Sequence, residues 1–170
     1  MDDAVLRSLA RWPDVPSVYG WLALDRRGNF LLRVPGAERF ERIGNAALRE
    51  FIARNYQRDA QGRWYFQNGP QRVYVRLAYT PLVVHYEGDL LLDHCGRRFG
   101  EPENVFADEE GSVLIQRAAV IALLDDRDLE RYADSAALLQ RIKRAEVAQR
   151  FGFVPDPAPG ENPDRPQSLR

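Results

Sequence analysis

The chain has 170 residues, of which 45% are hydrophobic and 29% are charged, and its formal net charge is -1 at pH 7. A chain of this length buries roughly 70% of the surface that its extended form exposes, so it can fold without a disulfide or a structural metal. The longest apolar run, residues 118–124, is too short for a membrane-spanning helix. The balance of 24 basic against 25 acidic residues argues against wrapping duplex DNA by charge alone.

Cysteine content and the first residues indicate the cellular compartment. Cys95 is the single cysteine, which rules out an intrachain disulfide and a cysteine-based zinc site within one chain. Residues 1–7 begin with acidic side chains and lack the basic and apolar regions of a secretory signal. The sequence therefore predicts a cytoplasmic protein.

Lysine is almost absent from the basic residues. Lys143 is the only lysine among the 24. Codon usage in a GC-rich genome explains this bias, and selection for anion recognition by the planar guanidinium fork is the alternative.

Hydrophobic spacing predicts a short helix and then a hairpin at the start of the chain. An acidic cap at Asp2 or Asp3 begins the helix, and Pro13 ends it. Residues 18–34 are rich in β-forming side chains on both sides of a turn at residues 25–28, which predicts the hairpin.

A central helix and two strands follow the hairpin. Asn45 is a suitable N-cap, and apolar steps of three and four residues predict a helix over residues 46–56. Residues 63–67 form an aromatic strand. Residues 71–79 alternate between apolar and polar side chains, which predicts a strand with one buried and one solvent-facing side.

The next segments predict further hairpins. Two hairpins are expected over residues 82–93 and 105–116 because turn residues separate short extended runs. Residues 120–124 form an apolar run that fits a strand or a helix, and we favour a strand.

Two helices and a tail complete the chain. The first helix begins at an acidic cap in residues 125–126 and extends through Tyr132. The second begins at Ser135 and ends at Gly152. Residues 153–170 are rich in proline and poor in large apolar side chains, so we expect a disordered tail.

The motif D-x-x-G recurs between extended runs at residues 25–28, 59–62 and 108–111. In such a turn the Asp carboxylate accepts hydrogen bonds from the amides that follow, and Gly takes the left-handed conformation. Reuse of this turn is favoured over an internal duplication. We divide the chain into an N-terminal half, residues 1–70, and a C-terminal half, residues 71–152, packed as one unit or as two.

Three segments carry a resemblance to a known family: RWPDVP at residues 11–16, YGWLALD at 19–25 and GRWYFQNGPQRVYV at 62–75. They resemble an uncharacterised proteobacterial family of the domain-of-unknown-function type, over roughly half of the chain. The order of hairpin, helix and aromatic strand, with the pattern of residues 73–81, is also similar to a second uncharacterised bacterial family with duplicated small α+β domains and a pleckstrin-homology-like second half. That resemblance implies a ligand groove between two halves, with a nucleotide-like ligand, and it carries over no catalytic residue.

The densest group of aromatic, amide and guanidinium side chains surrounds the strand at residues 71–79. Alternation places Arg72, Tyr74 and Arg76 on one side of this strand, where they can hold an anionic, planar or sugar-like ligand by stacking and bidentate hydrogen bonds. The alternative is that the aromatic rings lie in the core and the arginines extend to solvent. The remaining candidate site residues are Trp64, Asn68 and Gln71.

A second group, His85, Asp93, His94 and Cys95, contains the residue types of metal and nucleophile sites. In a hairpin turned at residues 87–89, His85 faces Leu91 or Leu92, and His94 and Cys95 point to opposite faces. We therefore predict no metal site and no catalytic residue. The sequence also contains no phosphate-binding loop, dinucleotide fingerprint or common hydrolase motif, so no cofactor is predicted.

These observations predict a cytoplasmic α+β protein, in which antiparallel hairpins form one or two curved sheets packed with one central and two C-terminal helices, and the resemblance implies a bacterial source. The predicted function is non-enzymatic binding of a small molecule or a protein partner at the aromatic and arginine strand face. A nucleic-acid-binding regulator is the first alternative and a small hydrolase-type enzyme is the second. No membrane partner is predicted.

Overall fold

The structure is a computed structural model that describes residues 1–34, 36, 38–135 and 138–159. Two six-stranded sheets and four helices make up this part of the chain, which confirms the predicted α+β class. No helix within the described ranges has the length and apolar character needed to cross a bilayer. The helices are α1 (Asp3–Arg11), α2 (Ala46–Arg54), a 3-10 helix (Asp126–Tyr132) and α3 (Arg144–Phe151).

The first sheet consists of β1 (Val18–Leu24), β2 (Phe30–Arg33), β3 (Phe40–Arg42), β4 (Tyr56–Arg58), β5 (Trp64–Asn68) and β6 (Gln71–Leu77). Their order across the sheet is β3-β2-β1-β6-β5-β4. Two antiparallel three-stranded units meet in the parallel pair of β1 and β6. The helix α2 connects these units, and its Ile52 is buried in the core.

The second sheet consists of β7 (Leu82–Glu87), β8 (Leu90–Asp93), β9 (Asn104–Ala107), β10 (Val113–Arg117), β11 (Val120–Leu124) and β12 (Gln140–Arg141). Their order is β12-β9-β10-β11-β7-β8. Strands β9, β10 and β11 form an antiparallel unit, and β7 pairs in parallel with β11, the last strand of that unit. In the first sheet, β1 pairs with β6 in the same way. The predicted hairpins and the strand at residues 120–124 are therefore present.

One apolar core joins the two sheets. Leu22 and Val75 contribute to it from the first sheet, and Val84 and Leu114 contribute from the second. Each of these side chains is at most 1% exposed. Complete burial of one such side chain stabilises the folded state by about 1.5–3 kcal/mol, so this shared core holds the sheets together.

Four turns share one hydrogen-bond pattern. In each, the Gly N–H donates to the Asp carbonyl oxygen, and the Asp Oδ1 accepts from the N–H groups two and four residues later. The four glycines have φ between 75° and 82°, a region that favours glycine. Three of these turns are predicted from the motif, and the fourth, at residues 93–96, was not among the predicted turns. The four residues that accept these bonds are Asp25, Asp59, Asp93 and Asp108.

A second turn type is also repeated in the two sheets. Between β5 and β6, Gln67 Nε2 donates to the carbonyl oxygen of Gly69 at 2.9 Å, and between β10 and β11, Gln116 Nε2 donates to that of Ala118 at 2.9 Å. Gly69 and Ala118 both have positive φ, 56° and 50°. The two sheets share a parallel pairing of strands and two types of turn. Reuse of one favourable turn does not explain all of these similarities, which favour a duplicated unit with one copy in each sheet.

The predicted helix over residues 46–56 ends earlier, at Arg54. Its N-cap is confirmed, because the Asn45 side chain accepts a hydrogen bond from the N–H of Leu48. Tyr56 begins the edge strand β4, where it pairs with Phe66, and its hydroxyl donates to the carbonyl oxygen of Pro81 at 2.9 Å. Strand pairing and burial therefore override the helical spacing at this position.

The predicted helix from Ser135 to Gly152 is wrong in its first part. Residues 136–137 lie outside the described residues, β12 pairs in parallel with β9, and α3 begins only at Arg144. Leu138 is 85% exposed, and Ile142 is buried although it lies before the start of α3, so the apolar spacing before Arg144 does not mark a helix face. Gly152 ends α3 in the left-handed conformation, as predicted. The preceding predicted helix is present as a 3-10 helix capped by Asp125.

The first part of the predicted disordered tail is packed. Phe153 is buried, the Val154 N–H donates to the carbonyl oxygen of Gly62, and the Leu77 N–H donates to that of Pro155. The expectation fails here because one aromatic ring and two backbone hydrogen bonds fix the segment against the first sheet. Residues 160–170, the rest of the predicted tail, lie outside the described residues.

The chain passes from the first sheet to the second at residues 78–81. The division expected between residues 70 and 71 instead falls at the β5 and β6 turn, inside the first sheet. Thr80 anchors the passage, because its Oγ1 donates to the carbonyl oxygen of Leu82 at 2.7 Å and accepts from the Leu123 N–H at 2.9 Å.

Candidate functional site

The predicted binding face of β6 is covered at Tyr74. The Tyr74 ring stacks on Tyr19 with 4.7 Å between ring centroids and an interplanar angle of 8°, and the Arg63 guanidinium lies 4.6 Å from its centroid. Its hydroxyl donates to Asp59 Oδ2 at 3.0 Å, and the residue is 2% exposed. Both ring faces and the hydroxyl are therefore engaged within the protein.

The electrostatics of this cluster show the same internal pairing. Desolvation raises the pKa of Tyr74 above its ordinary value. Desolvation alone would raise the pKa of Asp59 as well, but hydrogen bonds from Arg63 and Tyr74 outweigh it and lower that pKa. The cluster is a stabilising network rather than an open surface.

Three of the other predicted residues also have partners. The Arg72 guanidinium lies 4.8 Å from the centroid of the Tyr65 ring, and Gln71 Nε2 donates to the carbonyl oxygen of Pro16 at 3.1 Å. Arg76 Nε lies 3.5 Å from Asp156 Oδ2. Asn68 is exposed at the end of β5. We call the side of β6 that carries Arg72, Tyr74 and Arg76 the outer face; Gln71 and its register partner Asn68 alternate to the opposite side of the sheet.

Trp64 lies on the opposite side of the sheet from the outer face. Tyr65 pairs directly with Tyr74, and consecutive residues of a strand point to opposite faces, so Trp64 points inward. Its ring lies 5.0 Å from that of Tyr56, and the residue is 8% exposed. The structure therefore does not bring Trp64 to Arg72, Tyr74 and Arg76.

Trp64 instead lines a cleft between the two sheets, with a volume of about 430 Å³. The apolar part of its lining includes Leu82, Phe99 and Val120. We call it the arginine cleft; its polar lining includes Gln57, Arg58 and Trp64 from the first sheet, and Arg97, Arg98 and Arg117 from the second sheet and its loops.

The cleft carries an excess of positive charge. Four arginines line it against one carboxylate, Asp93. Arg97 neutralises Asp93, because its Nε donates to Asp93 Oδ2 at 2.9 Å, and its Nη1 donates across the cleft to the carbonyl oxygen of Tyr56 at 3.2 Å. In the part of the chain that the structure describes, no acidic side chain forms an ion pair within 4.0 Å of Arg98 or Arg117.

Two local features position the remaining arginines. Arg58 Nη2 donates to the carbonyl oxygen of Gly152 at 2.7 Å, so the end of α3 holds it at one side of the cleft. Arg117 packs against Gly100, where an added Cβ would lie 2.7 Å from Arg117 Nε. The loop beyond Arg117 is held by Glu103, whose Oε2 accepts from the Ala118 N–H at 3.0 Å.

One side chain on the inner side of the sheet, Trp64, has a buried N–H group without an acceptor: its Nε1 makes no hydrogen bond to any of the described residues. Gln57 Nε2 also lacks a partner, but Gln57 pairs with Tyr65, so its side chain points to the other side of the sheet. A buried donor without a partner costs about 1–3 kcal/mol, so such groups are rare in folded proteins. The unpaired indole N–H marks the cleft as a place where a ligand can supply an acceptor.

The histidine and cysteine group lies next to the cleft and does not form a catalytic arrangement. His94 Nδ1 accepts from the Val83 N–H at 3.3 Å, its ring lies against Phe30 and Tyr56, and desolvation lowers its pKa to about 4. Desolvation raises the pKa of Cys95 to about 12. At neutral pH His94 is uncharged and Cys95 is a thiol, so neither is an activated base or nucleophile.

His85 lies apart from His94 and Cys95. It pairs with Leu92 in the β7 and β8 register, and its Nε2 lies 3.5 Å from Glu87 Oε1. Among the described residues, no group of three or more His, Cys, Asp and Glu side chains is arranged to hold a metal ion.

Sequence reasoning identified one residue of the cleft, Trp64, and missed Gln57, Arg58, Arg97, Arg98 and Arg117. A signal was present in the pattern D-x-x-G-R, which occurs at residues 59–63 and 93–97. In both copies the arginine Nε donates to the Asp Oδ2, at 2.8 Å and 2.9 Å. The second copy therefore predicts an oriented arginine next to Arg98.

Comparison with known proteins gives a family match and two solved structures of low similarity. A DUF1285 family protein from Silicibacter pomeroyi DSS-3 is 18% identical, with a TM-score of 0.49 over 79% of this chain and 85% of that chain. A DUF1285 family protein from Shewanella baltica OS155 is 13% identical, with a TM-score of 0.42 over 68% of this chain and 91% of that chain. No curated protein matches the sequence.

The predicted membership of a domain-of-unknown-function family is confirmed. The model of the family DUF2944, whose description is "Protein of unknown function (DUF2946)", matches residues 1–158. Because this match spans nearly the whole chain, the protein belongs to the DUF2944 family.

Proposed function

We propose that the protein is a non-enzymatic binding module for a small anionic ligand, which occupies the arginine cleft. The observation that carries the proposal is the excess of guanidinium groups in the cleft, together with the buried N–H group of Trp64. Of the six residues expected at a ligand surface, the proposal retains Trp64.

Arginine suits this role because its planar guanidinium donates two parallel hydrogen bonds to a carboxylate or phosphate. Arg98 and Arg117 are exposed and have no acidic partner among the described residues, so a ligand need not displace an ion pair to reach them. Arg97, in contrast, already binds Asp93. Arg98 and Arg117 are therefore the residues whose removal weakens binding most.

The shape and the apolar lining of the cleft also suit a small molecule. Its volume of about 430 Å³ falls within the range of ligand sites, roughly 300–1,000 Å³. Phe99 and Leu82 offer an apolar surface to the body of a ligand, while the arginines bind its charge. A planar or aromatic anion satisfies both parts of the lining.

The position of the cleft gives binding a structural consequence. Its lining comes from both sheets, and Arg97 already connects them through the carbonyl oxygen of Tyr56. A ligand in the cleft adds contacts that exist only in the folded state, so it stabilises the fold by mass action. This coupling suits a regulatory module that reports the presence of its ligand.

Isothermal titration calorimetry with phenyl phosphate tests the proposal. We expect a Kd on the order of millimolar, since a probe of this size gains only a few kcal/mol. The Arg98→Ala/Arg117→Ala variant should bind more than about tenfold more weakly, because two charge-assisted contacts are lost.

A matched control removes the same charge elsewhere. Arg7 and Arg11 are exposed on α1 and do not line the cleft, so Arg7→Ala/Arg11→Ala should bind phenyl phosphate as the wild type does. Equal weakening in both double variants would show a nonspecific charge effect and overturn the proposal. The absence of binding to the wild type would also overturn it.

A further inference from the structure

We infer that the ligand enters the arginine cleft with an oxyanion head group, a carboxylate or a phosphate, and that the indole N–H of Trp64 donates a hydrogen bond to it. This inference rests on the proposed function and names the chemical class of the ligand. It also assigns Trp64 as the residue that determines which head group is accepted.

Trp64 is the strongest indicator of that class. The residue is only 8% exposed, and its Nε1 has no acceptor among the described residues. A buried indole N–H normally finds a partner. Because indole is a donor only, at every pH, the missing partner must be an acceptor.

Strand pairing places a positive charge beside the indole. Arg58 lies directly opposite Trp64 in the β4 and β5 register, and opposite residues of paired strands point to the same face. Arg58 uses Nη2 to bind the carbonyl oxygen of Gly152, which holds its side chain in the lining of the cleft. An acceptor that meets the Trp64 N–H therefore lies near a guanidinium, which favours a charged acceptor.

The balance of donors and acceptors in the lining selects against neutral polar groups. Asp93 is the only carboxylate of the lining, and it already accepts from Arg97 Nε and from the N–H groups of Cys95 and Arg97. The hydroxyl of Tyr56, another residue of the lining, is buried and donates to the carbonyl oxygen of Pro81, and Gln57 points to the other side of the sheet. A head group that brings its own O–H or N–H donors finds few acceptors, whereas an oxyanion brings acceptors only.

Nuclear magnetic resonance of the indole N–H tests this contact. The chain contains three tryptophans, and Trp12 and Trp21 are 57% and 48% exposed. The Trp12→Phe/Trp21→Phe variant therefore leaves Trp64 as the only indole at little cost to the fold. Titration with phenyl phosphate or sodium benzoate should move the indole proton downfield, with the Kd that calorimetry gives for the same variant.

Two comparisons separate the ligand classes. Benzyl alcohol, a neutral probe with the same ring, should leave the indole proton in place. The ratio of the Kd values for phenyl phosphate and benzoate shows whether the site prefers a phosphate or a carboxylate. An equal downfield shift with benzyl alcohol would overturn the oxyanion class.

A variant without the indole N–H gives an independent readout. Trp64→Phe keeps an aromatic ring and removes the donor, so phenyl phosphate binding should weaken at least about fivefold. If this variant does not fold, the indole titration of the Trp12→Phe/Trp21→Phe variant decides alone.

The outcomes distinguish this inference from the proposed function. If phenyl phosphate binds, and binding depends on Arg98 and Arg117 while the indole proton does not move, the inference is wrong and the proposed function stands. If phenyl phosphate does not bind at all, both are wrong.

Discussion

The outer face of β6 and the arginine cleft are both built from arginine and aromatic side chains, yet they differ in how those groups are satisfied. On the outer face, the Tyr74 ring has a partner on each side and its hydroxyl bonds to Asp59. In the cleft, Trp64 Nε1 has no acceptor and Arg98 has no acidic partner within the described residues. Residue type alone does not separate a structural cluster from a binding site. Buried polar atoms without a partner occur on both sides of the sheet, since Gln57 Nε2 and Gln67 Oε1 lack one on the side of Tyr74, so the arginines without an acidic partner are what distinguishes the cleft.

The same contrast has an energetic side. Paired groups on the outer face stabilise the folded state, while the unpartnered Trp64 N–H and the like charges in the cleft destabilise it. Proteins tolerate such local cost where function requires it. Substitutions in the two regions should therefore separate stability from binding.

The largest expected effect is on stability at the outer face. Tyr74→Ala removes a buried ring between Tyr19 and Arg63, and it should lower the free energy of unfolding by about 3–5 kcal/mol. Tyr74→Phe, the control, loses only the hydroxyl bond to Asp59 and should cost about 1 kcal/mol. Urea unfolding measures both values. A loss below about 1 kcal/mol for Tyr74→Ala would contradict the assignment of this face to stability.

A pH series should show the next largest effect, on the cleft side. The pKa of His94 is lowered to about 4 from 6.5, so the unfolded chain binds a proton more readily between these values. The free energy of unfolding is therefore highest above pH 6.5 and falls by about 3 kcal/mol as the pH drops to 4.

His94→Gln should remove most of this fall, measured by urea unfolding at pH 7.5, 6.5, 5 and 4. The pKa of Asp59 is shifted in the opposite direction, below its ordinary value of 3.8, so its contribution is present above that value and is lost only in stronger acid. An identical pH profile in His94→Gln and the wild type would show that His94 is not desolvated.

The repeated turns allow one substitution to be compared in both regions. Asp59→Asn and Asp93→Asn each weaken a carboxylate that accepts two backbone N–H bonds and one arginine Nε, and Asp59 also accepts from the Tyr74 hydroxyl, so each should cost at least about 1–2 kcal/mol. Only Asp93→Asn removes a negative charge from the cleft and releases Arg97. It should therefore tighten phenyl phosphate binding a few-fold, and equal affinities in the two variants would contradict the location of the site.

The smallest expected effects on stability come from single exposed arginines. Arg72→Ala and Arg98→Ala should each change the free energy of unfolding by less than about 0.5 kcal/mol. Arg98→Ala should weaken phenyl phosphate binding several-fold, and Arg72→Ala should not. A reversed order in calorimetry would return the binding surface to the outer face.

Much of the fold is predictable because its signals are local. The D-x-x-G turns, the Asn45 cap and the alternation in β6 depend on residues within one short segment, and each is present. The predictions that fail depend on distant pairing. Tyr56 joins Phe66 in a sheet, and residues 140–141 join β9 across a long stretch of chain.

The candidate site is less predictable for a related reason. Residues 64–66 are all aromatic, so alternation does not show which of them faces the core. Arg98 and Arg117 are distant from Trp64 in the sequence, and only the packing of the two sheets brings them to one cleft. The spacing of residues along the chain therefore does not predict that these side chains are close together.

A crystal structure of the wild-type protein with saturating phenyl phosphate tests the central claim most directly. The account predicts the phosphate group in the arginine cleft, within hydrogen-bond distance of Trp64 Nε1 and of the guanidinium of Arg98 or Arg117. A phosphate bound at Arg72 and Arg76 on the outer face, with none in the cleft, would contradict it.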